Sequence, residues 1–241
     1  MPAPVKPNAD GSIRLTRICA GAGLGYQIQY QRPDTPLPPL ARAGLKQPKG
    51  AAPSAKPLTA AEDTLVTFDG DLRKLLLPKP KGAKNLTDSY TADGWMSLYD
   101  YAETYEKPGN MFRLLANNDF RRLASAMWST GSYDTLTTTE VRLVQFRDYT
   151  QTYTADMLDD QQSYMSESDY AANHGKDIPG SVDGTAWVYS KPWTKAGYLP
   201  EYTARALARR GTVMVDVWVW SAKPIKMSTI QSLAKRQLER L

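Results

Sequence analysis

Thr212-Val213-Met214-Val215-Asp216-Val217-Trp218-Val219-Trp220 is the stretch from which the fold is read. Its period of two is that of a β-strand, in which successive side chains point to opposite faces. One face is then all valine (Val213, Val215, Val217, Val219), and the other carries Met214, Asp216, Trp218 and Trp220. A valine face suits packing against a helix. A Met/Trp face that also holds an aspartate has to be covered by other elements or serve as an interaction surface.

The segments around this strand supply its neighbours. Ser228–Leu241 reads as an amphipathic helix with a stripe of Ile230, Leu233, Ala234, Leu238 and Leu241, and Ser228 with Gln231 three residues on is a capping-box pattern. Before the strand, Thr185–Ser190 and Tyr202–Ala208 are expected to add strands, turning at Gly197 and at Arg210-Gly211. Helix is the alternative for Glu201–Arg210, because Ala, Leu and Arg are strong helix formers; the short link at Gly211 into an evident strand favours a hairpin.

Upstream, Thr139–Phe146 reads as a strand and Tyr149–Met165 as a helix, so a strand followed by a helix occurs twice and suggests a duplicated unit. Leu72–Leu77 is a short helical turn stopped by Pro78 and Pro80. A helix opens near Ser97, with Leu98, Tyr101, Ala102 and Tyr105 on one face. Another is expected over Asn118–Trp128, with Asn118 as its N-cap, a stripe of Phe120, Leu123, Ala124 and Met127, and Gly131 ending it. The fold class expected is α+β, an antiparallel sheet with helices packed on one face.

Three regions divide the chain. Residues 1–32 read as an N-terminal arm, disordered to residue 12, with short strands at Ile13–Cys19 and Tyr26–Tyr30. Residues 33–62 form a Pro/Ala-rich linker: Pro33–Pro57 holds seven prolines, a composition of extended spacers. Residues 63–241 are the α+β body.

Composition narrows the function classes. The net charge of +5 is scattered, and Asp148–Asp169 has no Lys or Arg, which argues against nucleic acid. One cysteine, Cys19, precludes an intramolecular disulfide, and one histidine, His174, makes His-rich metal sites hard to build. No cofactor and no metal site is expected, and no apolar run approaches the ~20 residues of a bilayer span. Gly21-Ala22-Gly23-Leu24-Gly25 fails as a phosphate loop, since a strand rather than a helix follows it. Asp156, Asp159 and Asp160 share helical spacing and read as a solvated face, and Asp183-Gly184 reads as a turn.

The motif order Leu75-Leu76-Leu77-Pro78-Lys79-Pro80-Lys81-Gly82-Ala83, Asp119-Phe120-Arg121-Arg122, Val144-Gln145-Phe146-Arg147, Ile178-Pro179-Gly180-Ser181 and Ala208-Arg209-Arg210-Gly211 resembles a pattern in actinobacterial secreted proteins and lipoproteins of a sensor-like extracytoplasmic type. The resemblance covers about 69–241. It implies an α+β binding or sensing domain without a catalytic site. The chain departs from a lipoprotein at Thr16-Arg17-Ile18-Cys19, which lacks the small residues expected before a lipidated cysteine.

These readings converge on an expectation: a non-enzymatic extracytoplasmic domain that contacts a ligand or protein partner through Trp187, Tyr189, Trp193, Asp216, Trp218 and Trp220. The localisation expected is extracellular or cell-surface, and cytoplasmic if Met1 is the true start. Two alternatives stand beside it. One is an assembly subunit whose N-terminal segment pairs with a neighbouring chain; the other is a small carboxylate-dependent hydrolase using Asp216 or Asp183.

Overall fold

The computed structural model describes residues 66–86, 93–147 and 152–241, all within the compact unit Lys56–Leu241. The N-terminal arm, its two strands, Cys19 and the linker over 33–62 lie outside the described residues.

The strand over Val213–Ser221 (β8) sits at the centre of an eight-stranded sheet, flanked on both sides by long antiparallel partners. On one side it pairs with β4 (Thr137–Phe146), and β4 pairs with β3 (Phe120–Thr130). On the other side it pairs with β7 (Tyr202–Arg210), then β6 (Thr185–Val188) and β5 (Lys176–Asp177) follow. Two-residue strands β1 (Lys84–Asn85) and β2 (Trp95–Met96) lie along the outer side of β3. All pairings are antiparallel, and the fold is α+β as expected.

The hairpin reading of Tyr202–Ala208 holds, against the helix alternative. Arg210 pairs with Val213, so the turn is Gly211-Thr212, and Gly211 sits at φ +57. A two-residue hairpin loop of this kind takes glycine where φ is positive.

The helices occupy both faces, where one was expected. The valine face of β8 and the alanines Ala204, Ala206 and Ala208 of β7 share a core with Ile230, Leu233, Ala234 and Leu238 of α4 (Met227–Leu238). Each fully buried valine contributes about 1.5–3 kcal/mol relative to an exposed one. The small β7 residues let α4 lie close to the sheet. The 3-10 turn Leu72–Leu75 joins the same layer, and buried Gln237 pins it: its Oε1 accepts from the Leu77 N–H at 2.8 Å and its Nε2 donates to the Leu75 carbonyl at 2.9 Å.

The opposite face is covered by α1 (Leu98–Glu103), α2 (Pro108–Asn117) and α3 (Thr152–Ser163). Their core gathers Tyr101, Leu115, Met157 and Leu158 over Leu123, Val144, Leu207 and Met214. Because α3 follows β4 on this face while α4 follows β8 on the other, the two strand–helix units are not related by one rotation. The repeat seen in the sequence is one of plan, without symmetry.

Two local expectations are corrected. Asn118 closes α2 rather than opening a helix, Asp119 turns the chain at φ 55, and Phe120 begins β3. Leu123, Ala124 and Ser125 are buried in succession because both faces of β3 are covered, which blurs its alternation into apparent helical spacing. The capping box at Ser228 does not form: α4 begins at Met227 with Lys226 as its uncapped N-cap residue, and Gln231 instead donates to the Asp177 carbonyl at 2.7 Å. Among the described residues no helix is long and apolar enough to cross a membrane.

Candidate functional site

Register places four charged residues side by side on the face that carries Trp218. Arg142 of β4 is opposite Asp216 of β8, Glu140 is opposite Trp218, and Trp218 is in turn opposite Arg205 of β7. All four side chains stand on one face because each obeys the period of two in its own strand.

They form two ion pairs. Arg205 holds Asp216 through Nε and Nη2, both at 3.0 Å, and the two side chains are 3% and 1% exposed. Arg142 holds Glu140 through Nε at 2.6 Å and Nη2 at 2.8 Å, while the Ser125 hydroxyl donates to Glu140 at 3.0 Å. Arg205 also donates to the Gln161 Oε1 at 2.8 Å and to the Tyr164 hydroxyl oxygen at 3.0 Å, which fastens the end of α3 to the sheet. Burial works against the Arg205 charge, but Asp216 outweighs it through its field and hydrogen bonds and holds the guanidinium well above its usual pKa.

Above these pairs lies a cavity of about 390 Å³. The α1–α2 connection and α2 wall one side, with Tyr105, Lys107, Asn110 and Met111; Gln161, Tyr164 and Tyr170 wall the other. Its floor is Arg142, Arg205 and Trp218. The Arg205 guanidinium carbon sits 4.5 Å from the Trp218 ring centroid, and Trp220 stacks on Trp218 at 5.6 Å with an interplanar angle of 3°.

The tyrosines here are held neutral. Burial pushes Tyr189 up to about 12, against the opposing effect of Arg205. Burial, reinforced by the field of Asp216, raises Tyr101, and burial with Tyr101 beside it raises Tyr105. The Tyr105 hydroxyl donates to that of Tyr101 at 2.7 Å. Hydroxyls of this kind exchange hydrogen bonds with a ligand and keep their own proton near neutrality.

The residues singled out from the sequence divide into three sets. Trp218 and Tyr189 line the cavity, both half-buried. Trp193 and Trp220 line a second hollow of about 380 Å³ with Tyr133, Tyr198 and Leu199, where Trp193 is 54% exposed. The Trp218–Trp220 stack therefore lies between the two hollows. Asp216 and Trp187 reach neither: Asp216 is consumed beneath Arg205, and Trp187 is buried in the core on that face of the sheet.

Asp183 pairs with Arg209 at 2.6 Å, away from the cavity. Asp156, Asp159 and His174 are exposed, as is Asp160 at the cavity rim. No group of three or more His, Cys, Asp or Glu side chains able to hold a metal ion occurs among the described residues.

Sequence reading missed Arg142, Arg205, Gln161 and Tyr164. A signal for Arg205 was present: in Thr203-Ala204-Arg205-Ala206-Leu207-Ala208-Arg209, alanines alternate with larger residues, so Arg205 has to share a face with Leu207. No protein-family model, curated protein or solved structure matches this chain, and the site is read from its own geometry.

Proposed function

We propose that this protein is a non-enzymatic binding domain that takes a ligand into the cavity between α1–α2 and α3, over the floor of Arg142, Arg205 and Trp218. The observation that carries the reading is the cavity itself: a concave site of about 390 Å³ with aromatic walls and a few fixed polar groups. That combination is characteristic of small-ligand sites. The lining supports binding rather than proton transfer, since its arginines are engaged by carboxylates and its tyrosines stay neutral. Asp216, the carboxylate first considered for catalysis, is fully buried under Arg205. The extracytoplasmic setting implied by the motif resemblance belongs to the same proposal.

The test is a blocked cavity. Asn110 is exposed on α2 at the cavity wall, so Asn110→Trp fills the opening without entering either core. A thermal-shift screen of small molecules should yield compounds that raise the Tm of the native chain and leave Asn110→Trp unmoved. A ligand held at ~100 times its Kd adds about 2.7 kcal/mol of stability. Hits that stabilise both proteins equally would refute the site.

A further inference from the structure

Although the two ion pairs are neutral in sum, they are oriented. Arg142 and Arg205 line the cavity, whereas their partners Glu140 and Asp216 do not. The positive end of each pair thus faces the cavity, and the low-dielectric surroundings strengthen what that end does to a group placed against it.

The two arginines differ in what they have left to give. Arg205 spends Nε and Nη2 on Asp216, Nη2 again on Gln161, and Nη1 on the Tyr164 hydroxyl and the Met165 sulfur. Its five N–H groups are used, and it acts as a fixed floor. Arg142 grips Glu140 side-on through Nε and Nη2, its guanidinium carbon lies 5.8 Å from the Tyr101 ring centroid, and its other hydrogen bond is a long one of 3.4 Å from Nη1 to the Thr104 hydroxyl. Among the described residues this leaves the end-on fork of Arg142, one N–H on each Nη, with at most that weak partner. Such a fork matches the two oxygens of a carboxylate. A second donor beside the cavity, the indole N–H of Trp218, is buried and meets no acceptor among the described residues.

We infer that the ligand is a small organic acid, its carboxylate on the Nη1/Nη2 fork of Arg142 and its flat apolar body between Tyr105, Tyr164, Tyr189 and the edge of Trp218. The edge of Trp218 is what remains, since its ring is engaged by Arg205 and Trp220. Lys107 at the rim adds attraction. Glu106 and Asp160, also at the rim, oppose it, but both are exposed and screened by water and salt. This inference rests on the reading of the cavity as the binding site.

The experiment uses indole-3-acetate and its neutral counterpart indole-3-acetamide as probes on the full chain, read by NMR shifts of the tryptophan indole N–H signals. The acid should shift the Trp218 signal and bind at least about tenfold more tightly than the amide, the scale of a charge-assisted bidentate contact. Arg142→Lys keeps a cation beside Glu140 but removes the fork; it should weaken the acid about tenfold and the amide far less. Equal binding of acid and amide to the native chain overturns the carboxylate assignment while leaving the cavity reading intact, and that comparison does not depend on the variant folding. Undiminished acid binding in a folded Arg142→Lys protein overturns it as well. If neither probe shifts the Trp218 signal at millimolar concentration, the organic-acid assignment falls. The cavity reading is then decided separately by the Asn110→Trp screen.

Discussion

Tyr189 shows what burial does to a single ionisable side chain in this fold. Its hydroxyl is raised to about 12, with burial as the first cause. A tyrosine free in water has its pKa at 10.0. Below pH 10 the residue is protonated in folded and unfolded chains alike, so the stability its burial allows is fully present there. As pH climbs from 10 towards 12, the unfolded chain releases a proton that the folded chain retains, and stability is lost. Tyr101 and Tyr105, raised in the same direction, add to the slope. Denaturant midpoints should therefore fall between pH 10 and 12, and Tyr189→Phe should recover part of the loss. After discounting for partial exposure, about 1–2 kcal/mol should separate the variant from the native chain at pH 12. Parallel pH profiles for the two proteins would show that Tyr189 ionises freely. The neighbouring Arg205–Asp216 pair has a different meaning: a buried pair is not itself strong evidence of stability, but removing one partner strands the other at a cost of about 3–5 kcal/mol. Its value here is geometric, because it fixes Trp218 and the end of α3 around the cavity.

Elements were legible where one face of a strand differed sharply from the other. β8, with valine on one side and Met/Asp/Trp on the other, could be read directly, and so could the opening of α1 near Ser97, whose hydroxyl accepts from the Asp100 N–H at 3.1 Å. β3 was illegible because both of its faces are covered, and α2 because its start at Pro108 follows a Lys that makes no side-chain cap. The signal for α2 was Pro at the first helical position, with Met111, Leu114 and Leu115 at helical spacing behind it. The candidate site was half legible. Tryptophans announce themselves in sequence, whereas the role of Arg142 follows from strand register, which pairs residues far apart in the chain. β7 illustrates how composition serves packing: Ala204, Ala206 and Ala208 are all fully buried in the core shared with α4. A leucine at Ala206 would need space that α4 occupies. Ala206→Leu should therefore cost about 1–3 kcal/mol in denaturant unfolding. A variant as stable as the native chain would mean that α4 stands further from the sheet than the alanine face implies.

The described residues form a sheet with a core on each side, and the strands β3, β4, β6, β7 and β8 contribute to both. Among the described residues its rims are short: β1 and β2 on one side and β5 on the other are two residues each, which offers little edge to a neighbouring sheet. Sharing strands ties the two cores together, because neither layer of helices can leave without exposing residues whose backbones belong to the other core. Leu115 of α2 and Ile230 of α4, both fully buried, report on the two cores from opposite faces. Leu115→Ala and Ile230→Ala should each remove about 2–5 kcal/mol. Each should shift the whole transition, with far-UV circular dichroism and tryptophan fluorescence moving together. Since the two side chains lie in separate cores, the double variant should lose the sum of the single losses to within about 0.5 kcal/mol, provided enough stability remains to measure. If Leu115→Ala instead released the α1–α2–α3 face early, fluorescence from Trp218 and Trp220 would change before the helical signal of α4. The cavity would then sit on a separately unfolding layer rather than on a floor held rigid by the opposite core.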